Sequence, residues 1–172
     1  MKHKVKKKQQ NSRMCLVCGL KNTLGLKAQF YELENKEVVS IFTPREEHQG
    51  YPDRLHGGIS SSILDETIGR AIMIKYKEDY WGVTVEFSIR FKKPIPLNEE
   101  LKVVGRITEE KNRFFEGTGE ILLKNGDVAA TGKGKYIKVP LEKIVSDIEL
   151  EDELEWKVTL SEKDPEEIEM NH

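Results

Sequence analysis

Long apolar runs are missing from this 172-residue chain. Nothing in it approaches the roughly 18 consecutive apolar residues that a bilayer-spanning helix needs, and the lysines at 2–8 lead into no apolar stretch of the kind a secretory signal requires. A soluble, cytoplasmic protein without a membrane partner is the expectation. Cysteine is nearly as scarce: Cys15 and Cys18 form a single CxxC. With no second Cys or His pair at finger spacing, cysteines alone cannot close a four-ligand zinc site. Reduced structural thiols and no metal are therefore expected. Charge of one sign does not dominate either, the formal net being −2 with 34% charged residues.

That balance hides two blocks. The first thirteen residues carry Lys2, Lys4, Lys6, Lys7, Lys8 and Arg13 and no acid, whereas residues 141–172 hold twelve acids against Lys143, Lys157 and Lys163. Blocks of this kind read as solvated tails. No aromatic residue is interleaved with the basic one for base stacking, which argues against a nucleic-acid partner. The organisation that follows is a basic N-terminal tail (1–13), one domain (14–140) and an acidic C-terminal extension (141–172), within which 145–158 reads as helix or as a loosely docked segment.

What the chain does have is one dominant helix. Residues 56–76 read HGGISSSILDETIGRAIMIKY, a glycine turn followed by about five turns at 3.6 residues each. Ser62, Glu66 and Arg70 fall together at i, i+4 and i+8 as a solvent stripe, with Glu66 as a solvated neighbour of the site. Ile59, Ile63, Leu64, Ile68, Ala71, Ile72, Met73 and Ile74 cover most of the remaining circumference, so the helix must be enclosed. Asp65 falls on the enclosed side. An ionised carboxylate shut away without a partner costs several kcal/mol or more, which makes Asp65 the first candidate for chemistry.

Strands surround this helix in sequence. Residues 27–34 and 37–43 form a hairpin across Asn35, and 45–53 is an aperiodic loop containing His48 and Gln49. From Val83 to Phe91 every odd residue is apolar, a strict two-residue period. Runs beginning at Leu101, Phe115 and Val128 complete a four-stranded antiparallel meander, with Asn125-Gly126 as a turn of the primed type. One long helix and a curled antiparallel sheet make an α+β fold. The sheet's free edge asks for a second copy, hence a dimer or larger homo-oligomer.

The segment HGGISSSILDE, with CLVCG…GL, HQGYP and GVTVEFSIRFKKPIP, resembles the hotdog-fold acyl-CoA thioesterases, the phenylacetyl-CoA type in particular, from about Cys15 to about Val139. The resemblance implies a curved antiparallel sheet wrapped around one long central helix, in dimers or dimers of dimers with the active site across the interface. It places the catalytic carboxylate on Asp65, the oxyanion-hole amide on Gly58 with Gly57 beside it, and a turn-fixing, substrate-placing histidine on His56. Thr84, contributed by the other subunit, matches the Ser or Thr that holds the attacking water. Six residues before the motif histidine, where relatives carry Asn or Gln, this chain has Gly50, with Gln49 one step earlier as a stand-in. His48 and Gln49 are candidate pocket residues, and Arg90, Lys92 and Lys93 candidate contacts for CoA phosphates. No cofactor is implied, CoA being part of the substrate.

The chemistry implied is thioester hydrolysis. Helix-start N–H groups without intrahelical partners would stabilise the oxyanion, and Asp65 would serve as general base or nucleophile. A non-catalytic acyl-CoA binding protein on the same scaffold is the alternative. A hydratase, which needs a His and a carboxylate on one substrate carbon, is the third reading.

Overall fold

The computed structural model describes residues 1–144, 154–155 and 160–170. The central helix is α1 (Gly57–Gly69), continued by a 3-10 turn at Arg70–Ile72 and by α2 (Met73–Tyr76). Its buried face carries Ile63, Leu64, Ile68, Ala71 and Ile72, all almost fully shielded from solvent. The enclosure expected from the apolar circumference is therefore found.

The strands are β1 (Lys2–Lys8), β2 (Asn11–Ser12), β3 (Gln29–Leu33), β4 (Val38–Phe42), β5 (Tyr80–Phe91), β6 (Leu101–Glu110), β7 (Phe114–Leu122), β8 (Val128–Pro140), β9 (Leu154–Glu155) and β10 (Glu167–Glu169). After β8 comes a single helical turn, α3 (Leu141–Ile144). Eight strands form one antiparallel sheet in the order β10-β1-β3-β4-β6-β7-β8-β5, and β2 pairs with β9. The helix packs on the face made by β5 to β8. Glycines in that face let it approach: a Cβ on Gly105 would meet the Thr67 carbonyl oxygen at 2.7 Å, and one on Gly117 would meet Ile68 Cγ2 at 2.5 Å.

Several expectations need correction. The meander has three strands, not four, because β5 crosses to the far edge and pairs with β8 rather than with β6. Short turns force neighbours to pair, but the nine-residue link 92–100 is long enough to cross the fold, tied down on the way by the bond from Leu55 N to Ile95 O at 2.9 Å. The turn after β7 is not of the primed type. Only Gly126 has positive φ, at 88°, and its N–H donates to Leu123 O at 2.8 Å. That is a type I turn closed by a glycine in the left-handed region, the three-residue hairpin loop.

The basic N-terminal segment is not a solvated tail. Lys2–Lys8 runs antiparallel to β3 on one side and to β10 on the other, with Lys2 opposite Glu169 and Lys4 opposite Glu167. Opposite charges thus face one another across the pair, an arrangement that favours the pairing of the two strands. Through it, Ile168 and Met170 reach the outer face of the sheet and pack with Tyr31, Leu33, Val39, Val104 and Leu122. The two charge blocks of the sequence thus include each other's partners. The reading of 145–158 lies outside the described residues, except for the strand at 154–155.

The far end of the helix is anchored electrostatically. Glu110 Oε1 accepts from Lys138 Nζ at 2.8 Å and from Tyr76 Oη at 2.6 Å, and its Oε2 accepts from Lys75 Nζ at 2.9 Å. These bonds, led by the one from Lys138, hold the Glu110 carboxyl down from the ordinary 4.5 to about 2. Because the folded value lies below the unfolded one, the stabilisation is fully present above about 4.5 and is lost as pH falls through about 2. Glu110→Gln should therefore melt at a lower temperature than the parent at neutral pH. The gap should close between those two values in melts followed by circular dichroism; a gap that persisted at pH 2 would refute the assignment.

Candidate active site

Asp65 lies on the third turn of α1, where the helix passes β5 and β8. Its carboxylate is held by two hydroxyls: Thr84 Oγ1 donates to it, lying 2.9 Å from Oδ1 and 3.0 Å from Oδ2, and Tyr136 Oη lies 3.1 Å from Oδ1 and 3.2 Å from the Asp65 carbonyl. Partial burial raises the Asp65 pKa, and the bonds from Thr84 and then Tyr136 oppose the rise. A carboxylate that holds its proton more tightly than usual is a better base once ionised. Tyr136 is itself fully buried and stacked on Phe115 with ring centroids 4.9 Å apart, so its hydroxyl is rigidly aimed.

Thr84 reaches Asp65 of its own chain, whereas the resemblance implied a residue from the other subunit. Strict alternation also puts Thr84 on the opposite face from Phe87. The strand resolves this with a bulge: Thr84 opposes Tyr136 but Glu86 opposes Lys135, leaving Val85 unpaired. The extra residue reverses the alternation, so Gly82 and Thr84 face the helix before the bulge while Phe87 and Ile89 face the core after it. Val83 and Val85 point outward and are exposed.

A cavity of about 290 Å³ opens beside Asp65 and Thr84. Its wall includes Met73, Trp81 and Gly82 from the helix end and β5, and Gln10, Asn11, Ser12, Cys15 and Cys18 from the N-terminal segment. Of these wall residues, Gln10 Oε1, Asn11 Oδ1 and Trp81 Nε1 are buried and have no hydrogen-bond partner among the described residues. The N-terminal contribution was not foreseen, since a polar stretch after a lysine run gives no periodic signal. Tyr136 was missed as well, although it continues an inward-facing series Ala130, Gly132, Gly134 along β8 in which it is the first large side chain.

Glu66 and Arg70 are not a solvent stripe. Arg70 is 8% exposed, its Nε and Nη2 lie 2.9 and 2.8 Å from Glu66 Oε1, its Nη1 donates to Gln10 O at 3.0 Å, and the guanidinium sits 4.1 Å above the Phe30 ring. Burial pushes the Glu66 carboxyl up to about 7 against the pull of Arg70. Over this pair fold the two cysteines. A hydrogen bond with Cys18 draws the Cys15 thiol down to about 7, and the same bond, with burial, drives Cys18 up to about 12. Sγ of both cysteines and a carboxylate oxygen of Glu66 all lie within 4.8 Å of one another, a set able to hold a metal ion.

The motif's first half sits elsewhere. His56 is the N-cap of α1, and its Nδ1 accepts from Gly58 N at 2.9 Å, so within one chain the amide that the resemblance assigns to the oxyanion hole is already engaged. Gly58 lies about 10 Å along the helix axis from Asp65, at 1.5 Å per residue. None of His56, Gly57 and Gly58 lines the cavity. His48 does not line that cavity and is almost fully buried: it is 1% exposed, with Nδ1 accepting from Arg45 N and Nε2 against Leu24 O at 2.8 Å. It is a loop fastener. Gln49 is exposed and accepts from Asp53 N at 3.1 Å. Arg90 and Lys92 flank the exposed Phe91, whose ring lies over Gly57, while Lys93 pairs with Asp127 at 2.6 Å.

An antiparallel sheet wrapped on one central helix is the hotdog architecture. Residues 53–130 match the thioesterase superfamily. It is 32% identical to the rat acyl-coenzyme A thioesterase THEM4 over 112 residues, 64% of this chain and 47% of that protein, and 30% identical to the mouse protein over the same spans. The crystal structure of a thioesterase superfamily protein superposes with a TM-score of 0.67 at 29% identity, over 73% of this chain and 63% of that one. The PaaI protein of the Escherichia coli phenylacetic acid degradation operon, at 17% identity, TM-score 0.60 and coverage of 66% and 80%, supports the fold alone. This chain spans about half the length of the curated relatives it matches.

Proposed function

We propose that the chain hydrolyses acyl-CoA thioesters to the free acid and CoA. The observation that carries this reading is Asp65, a partly buried carboxylate oriented by Thr84 and Tyr136 beside a cavity of about 290 Å³. Such a group takes a proton from water, or attacks the thioester carbonyl directly. CoA leaves as a thiolate, a good leaving group, so no strong general acid is required. The acyl-coenzyme A thioesterases among the matching relatives support the same substrate class.

One chain does not bring the helix tip to Asp65. A second copy would supply it: β5 is an edge strand twelve residues long, and it presents Val83 and Val85 outward. An exposed, long, apolar edge is a pairing surface, and we take the active unit to be a homo-oligomer in which the Gly57-Gly58 end of one helix faces Asp65 of another chain. Arg90 and Lys92, next to that tip, are then placed to meet CoA phosphates. Binding without turnover is the second reading, favoured by the engagement of Gly58 N–H by His56.

Release of free thiol from a panel of acyl-CoAs separates the two. Turnover of at least one is expected; calorimetric binding with no thiol released from any would leave the binding protein. Thr84→Val, which keeps the shape and removes the donor, should lower kcat roughly tenfold, the order of one hydrogen bond to a charged group, with little change in KM. An unchanged kcat would remove Thr84 from the mechanism.

A further inference from the structure

We propose that Cys15, Cys18 and Glu66 bind a thiophilic divalent cation of the zinc class, leaving one coordination position open to the cavity that also holds Asp65. The argument begins in the CLVCG turn. Gly19 N donates to Cys15 O at 2.8 Å, closing the turn, while Val17 N and Cys18 N point at Cys15 Sγ from 3.3 and 3.5 Å. Main-chain N–H groups converging on a sulfur favour its thiolate, the form that ligates a metal. The position after Cys18 has to be glycine, because a Cβ there would lie 2.4 Å from Cys15 O. Ser12 Oγ supports the second sulfur from 3.4 Å.

The third ligand is pre-oriented. Arg70 occupies Glu66 Oε1 with two nitrogens and is itself fixed by Gln10 O and the Phe30 ring, which leaves Oε2 directed at Cys15 Sγ, 3.4 Å away. A supporting hydrogen bond to the non-ligating oxygen is how proteins aim a carboxylate at a metal. Charge also balances: two thiolates and one carboxylate against one guanidinium leave −2, which a divalent ion neutralises as the remaining thiol protons pass to solvent. Two sulfurs and one oxygen select zinc-like ions over calcium or magnesium, which take all-oxygen shells. Three protein ligands with an open fourth position is the arrangement of a site that binds water or a further ligand. A dithiol couple would use the same turn, with Glu66 Oε2 accepting from Cys15 Sγ, and metal uptake separates the two readings.

The full chain, stripped with chelator under reductant, is titrated with Co²⁺ and then with Zn²⁺ while absorbance is followed. Expected are one equivalent of Co²⁺ per chain, sulfur-to-cobalt charge-transfer absorption, and displacement by Zn²⁺. Cys15→Ser and Cys18→Ser should each weaken binding by at least the roughly 10- to 100-fold seen when a supporting partner of a metal ligand is lost. Glu66→Gln should weaken it while keeping the charge-transfer band. Circular dichroism confirms that each variant is folded; should Cys18→Ser or Glu66→Gln fail, Cys15→Ser, at the partly exposed position, decides. Absence of the band, or unchanged affinity in Cys15→Ser, overturns the proposal. So does a reduced chain that takes up no metal yet forms a Cys15–Cys18 disulfide with oxidised glutathione, a result that would assign the pair to thiol-disulfide exchange. Because metal uptake is read without turnover, the outcome is independent of whether the chain hydrolyses thioesters.

Discussion

Asp65→Asn should lower the turnover of acyl-CoA by about 10²- to 10⁴-fold, the range that a positioned acid-base group contributes. The substitution is close to isosteric. Thr84 Oγ1 and Tyr136 Oη can still donate to the one remaining oxygen, so the local packing seen around the carboxylate is kept. What disappears is the capacity to accept a proton or to attack. Binding, which would depend on the cavity wall and on Arg90 and Lys92 at the end of β5, should change little, so kcat falls and KM does not rise in proportion. Stopped-time thiol release and calorimetry on the same preparation measure both quantities. Full turnover by the variant would remove Asp65 from the chemistry, and loss of binding along with turnover would make its role structural.

The second large effect is on stability. Arg70→Met should cost roughly 3–5 kcal/mol when measured well above pH 7, where it leaves the largely buried Glu66 carboxylate ionised and without its counter-ion. For a chain of this size that is a fall in melting temperature of roughly 6–20 °C. Methionine fills most of the space over Phe30 but cannot donate to Glu66 or to Gln10 O. The double variant Glu66→Leu with Arg70→Met should recover most of the loss, because replacing a buried ion pair with apolar side chains of similar volume is often close to neutral. Thermal melts of the two single variants and the double variant form the cycle. If Arg70→Met melts like the parent, the pair is solvated and the assignment of this core is wrong.

Both predictions turn on residues that share one helix, yet only one of them was legible beforehand. Asp65 stands out in the sequence because a charge on an apolar helix face has no cheap explanation. Glu66 and Arg70 look ordinary because an i, i+4 pair of opposite charge is the usual mark of a solvent face. Their burial depends on residues 9–18 folding over them, and that segment offers no periodicity to read. Thr84 shows the same limit in a strand: its face was decided by one bulged residue, Val85, which a two-residue period cannot reveal. The lysine run at the N-terminus reads as a tail by itself, because its strand partners, Glu167 and Glu169, lie about 165 positions away.

The sequence by itself determined the enclosed helix, the antiparallel strands, the glycine-opened helix start and the isolated carboxylate. Each of these is a local pattern, set by side-chain period and by the cost of burying charge. Tertiary structure alone decided which strand lies at the edge, which hydroxyls hold Asp65, and that the cysteine turn closes over Glu66 and Arg70. Those depend on chain crossings and on contacts between residues far apart in sequence, and no periodicity within one segment encodes which distant segment will cover it.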